Sequence, residues 1–69
     1  MFTFSVIYKY NRKHRRWEIF LRKELDGIYD DMMLTEFYGN KAEAFNAAKN
    51  WAKYCEGIYN IEISNVLKG

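Results

Sequence analysis

Residues 37–57, FYGNKAEAFNAAKNWAKYCEG, hold the boundary on which the fold turns. Up to Phe37 the apolar side chains recur at every second position; beyond Asn40 they recur at three and four. Asn40 is a good N-cap, and Glu43 stands three residues later, the spacing of a capping box. Gly39 supplies the turn before the cap and Gly57 a C-terminal stop, so the spacing predicts a helix from Lys41 to about Glu56. At about 100° per residue, Ala44, Phe45, Ala48, Trp51, Ala52 and Cys55 share one stripe, with Asn46, Lys49, Asn50 and Lys53 opposite. Three small alanines on that stripe let a helix sit close on a sheet, while Phe45 and Trp51 fill the gaps.

Upstream, period-two alternation dominates. Phe2, Phe4, Val6, Tyr8 and Tyr10 alternate with Thr3, Ser5, Ile7 and Lys9, which predicts a half-buried strand over 2–10. A second run, 16–25, sets Trp17, Ile19, Leu21 and Leu25 against Glu18, Phe20, Arg22 and Glu24. Asp26-Gly27 follows, a strong signal for a tight hairpin, because such a turn needs positive φ at both central residues. A third strand falls within Ile28–Tyr38, where Asp30-Asp31 mark a bulge or a wider loop. Past the helix, Tyr59, Ile61 and Ile63 alternate with Asn60, Glu62 and Ser64 as a short fourth strand. The order β-β-β-α-β predicts a single α+β domain over 1–69, a small antiparallel sheet of three to four strands with one helix packed on one face. Phe2, Phe4, Val6, Trp17, Ile19, Leu21, Phe37 and Ile61 are expected to face the helix. Ile7, Lys9, Phe20, Arg22, Leu34, Glu36, Tyr38 and Glu62 are expected on the open face.

Composition bounds what such a domain does. Of 69 residues, 49% are apolar and 29% charged, a folding composition rather than a disordered one. Aromatics reach 19%. A chain this short buries only about 60% of its unfolded surface, so large rings read first as core filler and second as a dimer contact. No apolar run approaches the ~20 residues of a membrane helix, and Met1–Val6 lacks the basic region and cleavage site of a signal peptide. The expected location is therefore cytoplasmic, with no membrane contact. The single cysteine, Cys55, excludes an internal disulfide and a cysteine-based zinc site.

Charge is divided along the chain. Residues 1–23 hold seven basic side chains against Glu18 alone, and residues 24–69 hold four against eight acids. The sharpest local feature is Asn11-Arg12-Lys13-His14-Arg15-Arg16, a polar turn whose side chains suit phosphate or carboxylate. It reads either as a solvated turn or as a contact surface for an acidic or phosphate-bearing partner. Lys9, Phe20, Arg22 and Tyr38 add a mixed basic and aromatic patch on the open sheet, without the glycine-aromatic runs of an RNA-recognition strand. The acids around Glu24, Asp26, Asp30, Asp31 and Glu36 lack calcium-loop spacing. Cys55 lies on the buried helix stripe, Ser5 and Ser64 lie on strands, and no glycine-rich phosphate loop occurs, so no catalytic group, cofactor or metal is expected.

Two resemblances add to this reading. Arg16-Trp17-Glu18, followed by Phe37-Tyr38-Gly39-Asn40-Lys41-Ala42-Glu43-Ala44 leading into a helix, resembles the arm-binding N-terminal domain of phage and transposon integrases. That resemblance implies a three-stranded sheet set against DNA with a helix behind it, and the strand after the helix departs from it. In its length, ring content and lack of proline, the chain also looks like the small proteins bacteriophages encode against host systems, anti-CRISPR proteins among them. That likeness implies a stoichiometric inhibitor or accessory factor, acting in the host cytoplasm, that occupies a surface on a larger protein or nucleoprotein. The expected function is thus a non-catalytic binding protein, the alternative a duplex nucleic-acid-binding module using the first hairpin, and a homodimer the third reading. The contact residues expected are Lys9, Arg12, Lys13, Arg15, Arg16, Phe20 and Arg22.

Overall fold

A computed structural model describes all residues, 1–69. Strand β1 (Thr3–Asn11) turns into β2 (Arg16–Leu25), and β2 into β3 (Ile28–Phe37). Helix α1 (Lys41–Tyr59) and a short strand β4 (Ile63–Lys68) complete the chain. Together they form an α+β domain, a four-stranded sheet in the order β3-β2-β1-β4 with one helix.

The two hairpins follow from local chemistry. Asp26 and Gly27 both take positive φ, 52° and 81°, as the tight β2–β3 turn requires. The β1–β2 loop spans four residues and closes through Arg15 at φ 52°, the left-handed region. Asn11 braces it: its Oδ1 accepts from the His14 backbone N–H at 3.1 Å.

The helix begins as the sequence predicts. The Glu43 backbone N–H donates to Asn40 Oδ1 at 2.8 Å, and the Asn40 N–H donates to Glu43 Oε1 at 3.0 Å. Its end lies three residues past the expected Glu56. Gly57 is inside the helix, and Asn60 makes the left-handed C-cap at φ 53°. After glycine, asparagine is the residue that most readily takes that conformation at a helix end. The fourth strand consequently starts at Ile63 rather than Tyr59. It also pairs parallel to β1, whereas the first three strands are antiparallel. The helix returns the chain to the end where β1 begins, so the closing strand must run in β1's direction. The sheet is therefore mixed, not wholly antiparallel.

Ala44 and Ala48 are fully buried, and Ala52 and Cys55 nearly or wholly so, against Val6, Tyr8, Trp17, Ile19 and Leu21 of the sheet. Phe4, Phe37, Trp51, Ile61 and Val66 pack around this core, half-buried. Two placements differ from expectation. Leu34 packs against the core, not on the open face. The reason is a register shift opposite Ile19 and Phe20, which makes Leu34 the extra residue of β3. The bulge therefore falls at Leu34, while Asp30 and Asp31 pair regularly with Lys23 and Arg22. Phe2 lies ahead of β1 and is half exposed rather than buried under the helix.

Candidate binding surface

Strand pairing sorts the side chains into two faces, since residues opposite one another in a ladder share a face. Lys9 and Glu18 pair, as do Ile7 and Phe20, and Asn11 and Arg16. These residues, with Arg22, occupy the face away from the helix, because their neighbours Val6, Tyr8, Trp17, Ile19 and Leu21 form the core.

The seven expected contact residues divide into three kinds. Arg12, Lys13 and Arg15 are exposed on the four-residue turn and make no ion pair. Arg16 is committed: its Nε donates to Glu18 Oε2 at 3.0 Å, and its Nη2 lies 2.8 Å from Glu36 Oε2. Arg22 forms a two-pronged pair with Asp31, at 2.8 and 2.9 Å, and stacks 3.9 Å over the Tyr29 ring. Lys9 holds its ammonium 4.8 Å over Phe20. The basic cluster is thus not continuous from turn to sheet. Glu18, Glu36 and Asp31 engage Arg16 and Arg22 on the sheet, which leaves Arg12, Lys13 and Arg15 at the tip and Lys9 on β1 outside any ion pair.

Glu18 explains how the tip is held. It is 5% exposed although no helix covers its face. Asn11 Nδ2 donates to the same Oε2 at 3.0 Å that receives Arg16. Burial acts to raise the Glu18 pKa. The hydrogen bonds from Asn11 and Arg16, with the charges of Arg16 and Lys9, outweigh it and hold the carboxyl below its ordinary value. Asn11 therefore ties the turn, through His14, to an anchored carboxylate in the sheet. Hydrogen bonding to Arg22 likewise lowers the Asp31 carboxyl against the effect of burial, and raises Arg22.

The sequence places Ile7 and Phe20 on the open face but not the two residues that extend them into a row, Met33 and Leu67. Ile7 pairs with Phe20, Phe20 with Met33, and Ile7 with Leu67 of β4. An apolar row therefore crosses all four strands, with the Arg16–Glu18–Glu36 cluster on its tip side and Arg22–Asp31 on the other. The signal was hidden because Leu67 lay beyond the expected fourth strand, and because alternation with Leu34 on the open face put Met33 on the other, an order the bulge at Leu34 reverses. Tyr38 and Glu62, expected on this face, fall outside the strands. Cys55 is fully buried, and burial raises its thiol pKa, so it is core rather than a thiolate.

No protein-family model, curated protein or solved structure matches this chain. The residues and their geometry alone support a functional reading. No helix is long and apolar enough to cross a membrane.

Proposed function

We propose that this is a non-catalytic binding protein that sets its basic tip, and the sheet face behind it, on an acidic or phosphate-bearing surface of a larger partner. The observation that carries the reading is the contrast among arginines. Arg16 and Arg22 are spent on internal carboxylates, while Arg12, Lys13 and Arg15 project together from a braced turn without partners. Arginines so placed pair bidentately with carboxylate or phosphate. A protein or nucleoprotein partner fits better than bare duplex. The face beyond the tip exposes Met33 and Leu67 with half-buried Phe20, although Ile7 between them is buried, a composition closer to a protein contact than to a phosphate track. A stoichiometric inhibitor of the phage-encoded kind would use such a surface to occlude its target.

The double reversal Arg12→Glu with Arg15→Glu tests the reading. Exposed charges contribute little stability, so the melting temperature should stay within a few degrees. Capture of the partner from lysate by the tagged protein should be lost. Survival of capture would move the contact to another surface. Duplex DNA titrated at rising salt separates the alternative: direct binding through several phosphates gives a steep linear loss on a log–log plot, and no binding at low salt removes it.

A further inference from the structure

The basic end of the molecule extends past the β1–β2 turn onto the helix side of the sheet. Lys68 of β4 pairs with Tyr8 of β1 and so shares its face, the face that carries the helix. Helix α1 starts at this same end, because it runs antiparallel to β1. Phe45 sets its ring 5.7 Å from that of Tyr8. Lys41 and Lys49, four residues to either side of Phe45, line the same helix flank. Lys49 reaches back to hold its ammonium 4.7 Å over the Phe45 ring. Here lies an open cleft of about 460 Å³, lined by Tyr8, Lys41, Ala42 and Phe45.

Lys41, Lys49 and Lys68 are exposed, and none makes an ion pair. They join Arg12, Lys13 and Arg15 of the turn at one end of the molecule. The acids at this end are already engaged: Glu18 and Glu36 share Arg16, and Glu43 closes the helix cap. Exposed rings stand among the free cations. Tyr10 pairs with Trp17 and packs edge to face on it at 5.3 Å, which puts Tyr10 on the helix side, between Tyr8 and the turn. It is 44% exposed, and Phe45 is 39% exposed.

We infer that the phosphate-bearing element this end takes is a single strand of nucleic acid. Its phosphates run from the turn to Lys41 and Lys68, and its unpaired bases lie against Tyr10 and Phe45. The inference rests on the turn being an anion contact and names the anion. Charge alone would suit any polyanion; the rings select. Bases in a duplex are stacked on one another, whereas unpaired bases stack on aromatic side chains while cations track the backbone. Lys49, resting on Phe45, has a phosphate to move to when a base takes the ring.

Fluorescence anisotropy of a labelled oligothymidine strand of about 20 nucleotides, longer than one site, tests this with the full chain. At about 50 mM salt the strand should bind saturably, and more tightly than a duplex of equal length. Lys41→Gln with Lys68→Gln removes two phosphate contacts, so the log–log salt slope should fall by about 1.4. Tyr10→Thr and Phe45→Leu should each weaken binding about fivefold or more and leave that slope unchanged. Circular dichroism melting checks the fold of each variant. Phe45 also packs on Tyr8, so Tyr10→Thr decides if Phe45→Leu melts early. A strand that does not bind at this salt overturns the inference, as does a duplex bound equally well or binding indifferent to both rings. Should Arg12→Glu with Arg15→Glu lose a partner captured from lysate while the parent binds no strand, the turn remains a contact and this inference alone fails.

Discussion

Glu18 and Asp31 are the residues at which acid meets this fold. Both carboxyls are held below their ordinary values in the folded state, Glu18 by Asn11 and Arg16 against its burial, Asp31 by Arg22. In the unfolded chain they take up protons at ordinary carboxylate pH. The unfolded state therefore binds protons first as pH falls. Their contribution to stability is complete above the ordinary carboxylate range and is lost as pH drops through the depressed folded values. Melting temperature should be flat from pH 7 to about 5 and decline below that. Asp31→Asn should lower the melting temperature at pH 7 and flatten the acid decline, measured by circular dichroism on both proteins. An unchanged slope would mean that the Arg22–Asp31 pair is broken in solution.

Helix α1 is positioned by two devices of different kind. The Asn40–Glu43 box fixes where it starts, and Ala44, Ala48 and Ala52 fix how near the sheet it lies. Asn40→Ala removes the cap and should cost about 1 kcal/mol, or roughly 4–8 °C in a domain of this size. Ala48→Leu has no room at a fully buried position, and overpacking should cost about 1–3 kcal/mol. Thermal melts of the two variants check both, and an Ala48→Leu protein as stable as the parent would place the helix farther off the sheet. These devices were legible in the sequence because capping and alanine spacing act over a few residues. The Asp-Gly turn was legible for the same reason. The parallel fourth strand was not, because its direction depends on where the helix delivers the chain. Nor was Leu34, whose face is set by a bulge that forms only against Ile19 and Phe20. The candidate site divides along the same line. The exposed tip Arg12–Arg15 could be read from composition, whereas the pairing of Arg16 with Glu36 and of Arg22 with Asp31 arises from strand register.

On the scale of the whole molecule, the charge division of the sequence becomes a spatial one. The domain is 35 Å long and 15 Å thin. The β1–β2 turn with Arg12, Lys13 and Arg15 lies at one end of β2, and Glu24, Asp26 and Asp30 lie at the other, ten residues away. Ten strand residues span about 30 Å. Helix α1 runs antiparallel to β1, since β4 after it is parallel to β1, so its positive N-terminal end lies toward the basic tip and its negative end toward the acids. Fixed charges and helix dipole therefore point the same way. Screening decides whether a partner at the tip feels the far end. The Debye length is about 8 Å at 0.15 M salt and about 30 Å at 0.01 M. Heparin serves as a polyanion probe for the tip. Removing charge from the far end with Glu24→Gln and Asp26→Asn should leave heparin affinity unchanged at 0.15 M salt. At 0.01 M the same variant should bind faster, because the repulsion of the acidic end now reaches the approaching anion. Stopped-flow association at the two salt concentrations checks this. An equal gain at both would mean that the acidic end touches the polyanion directly, and that the tip is not where it binds.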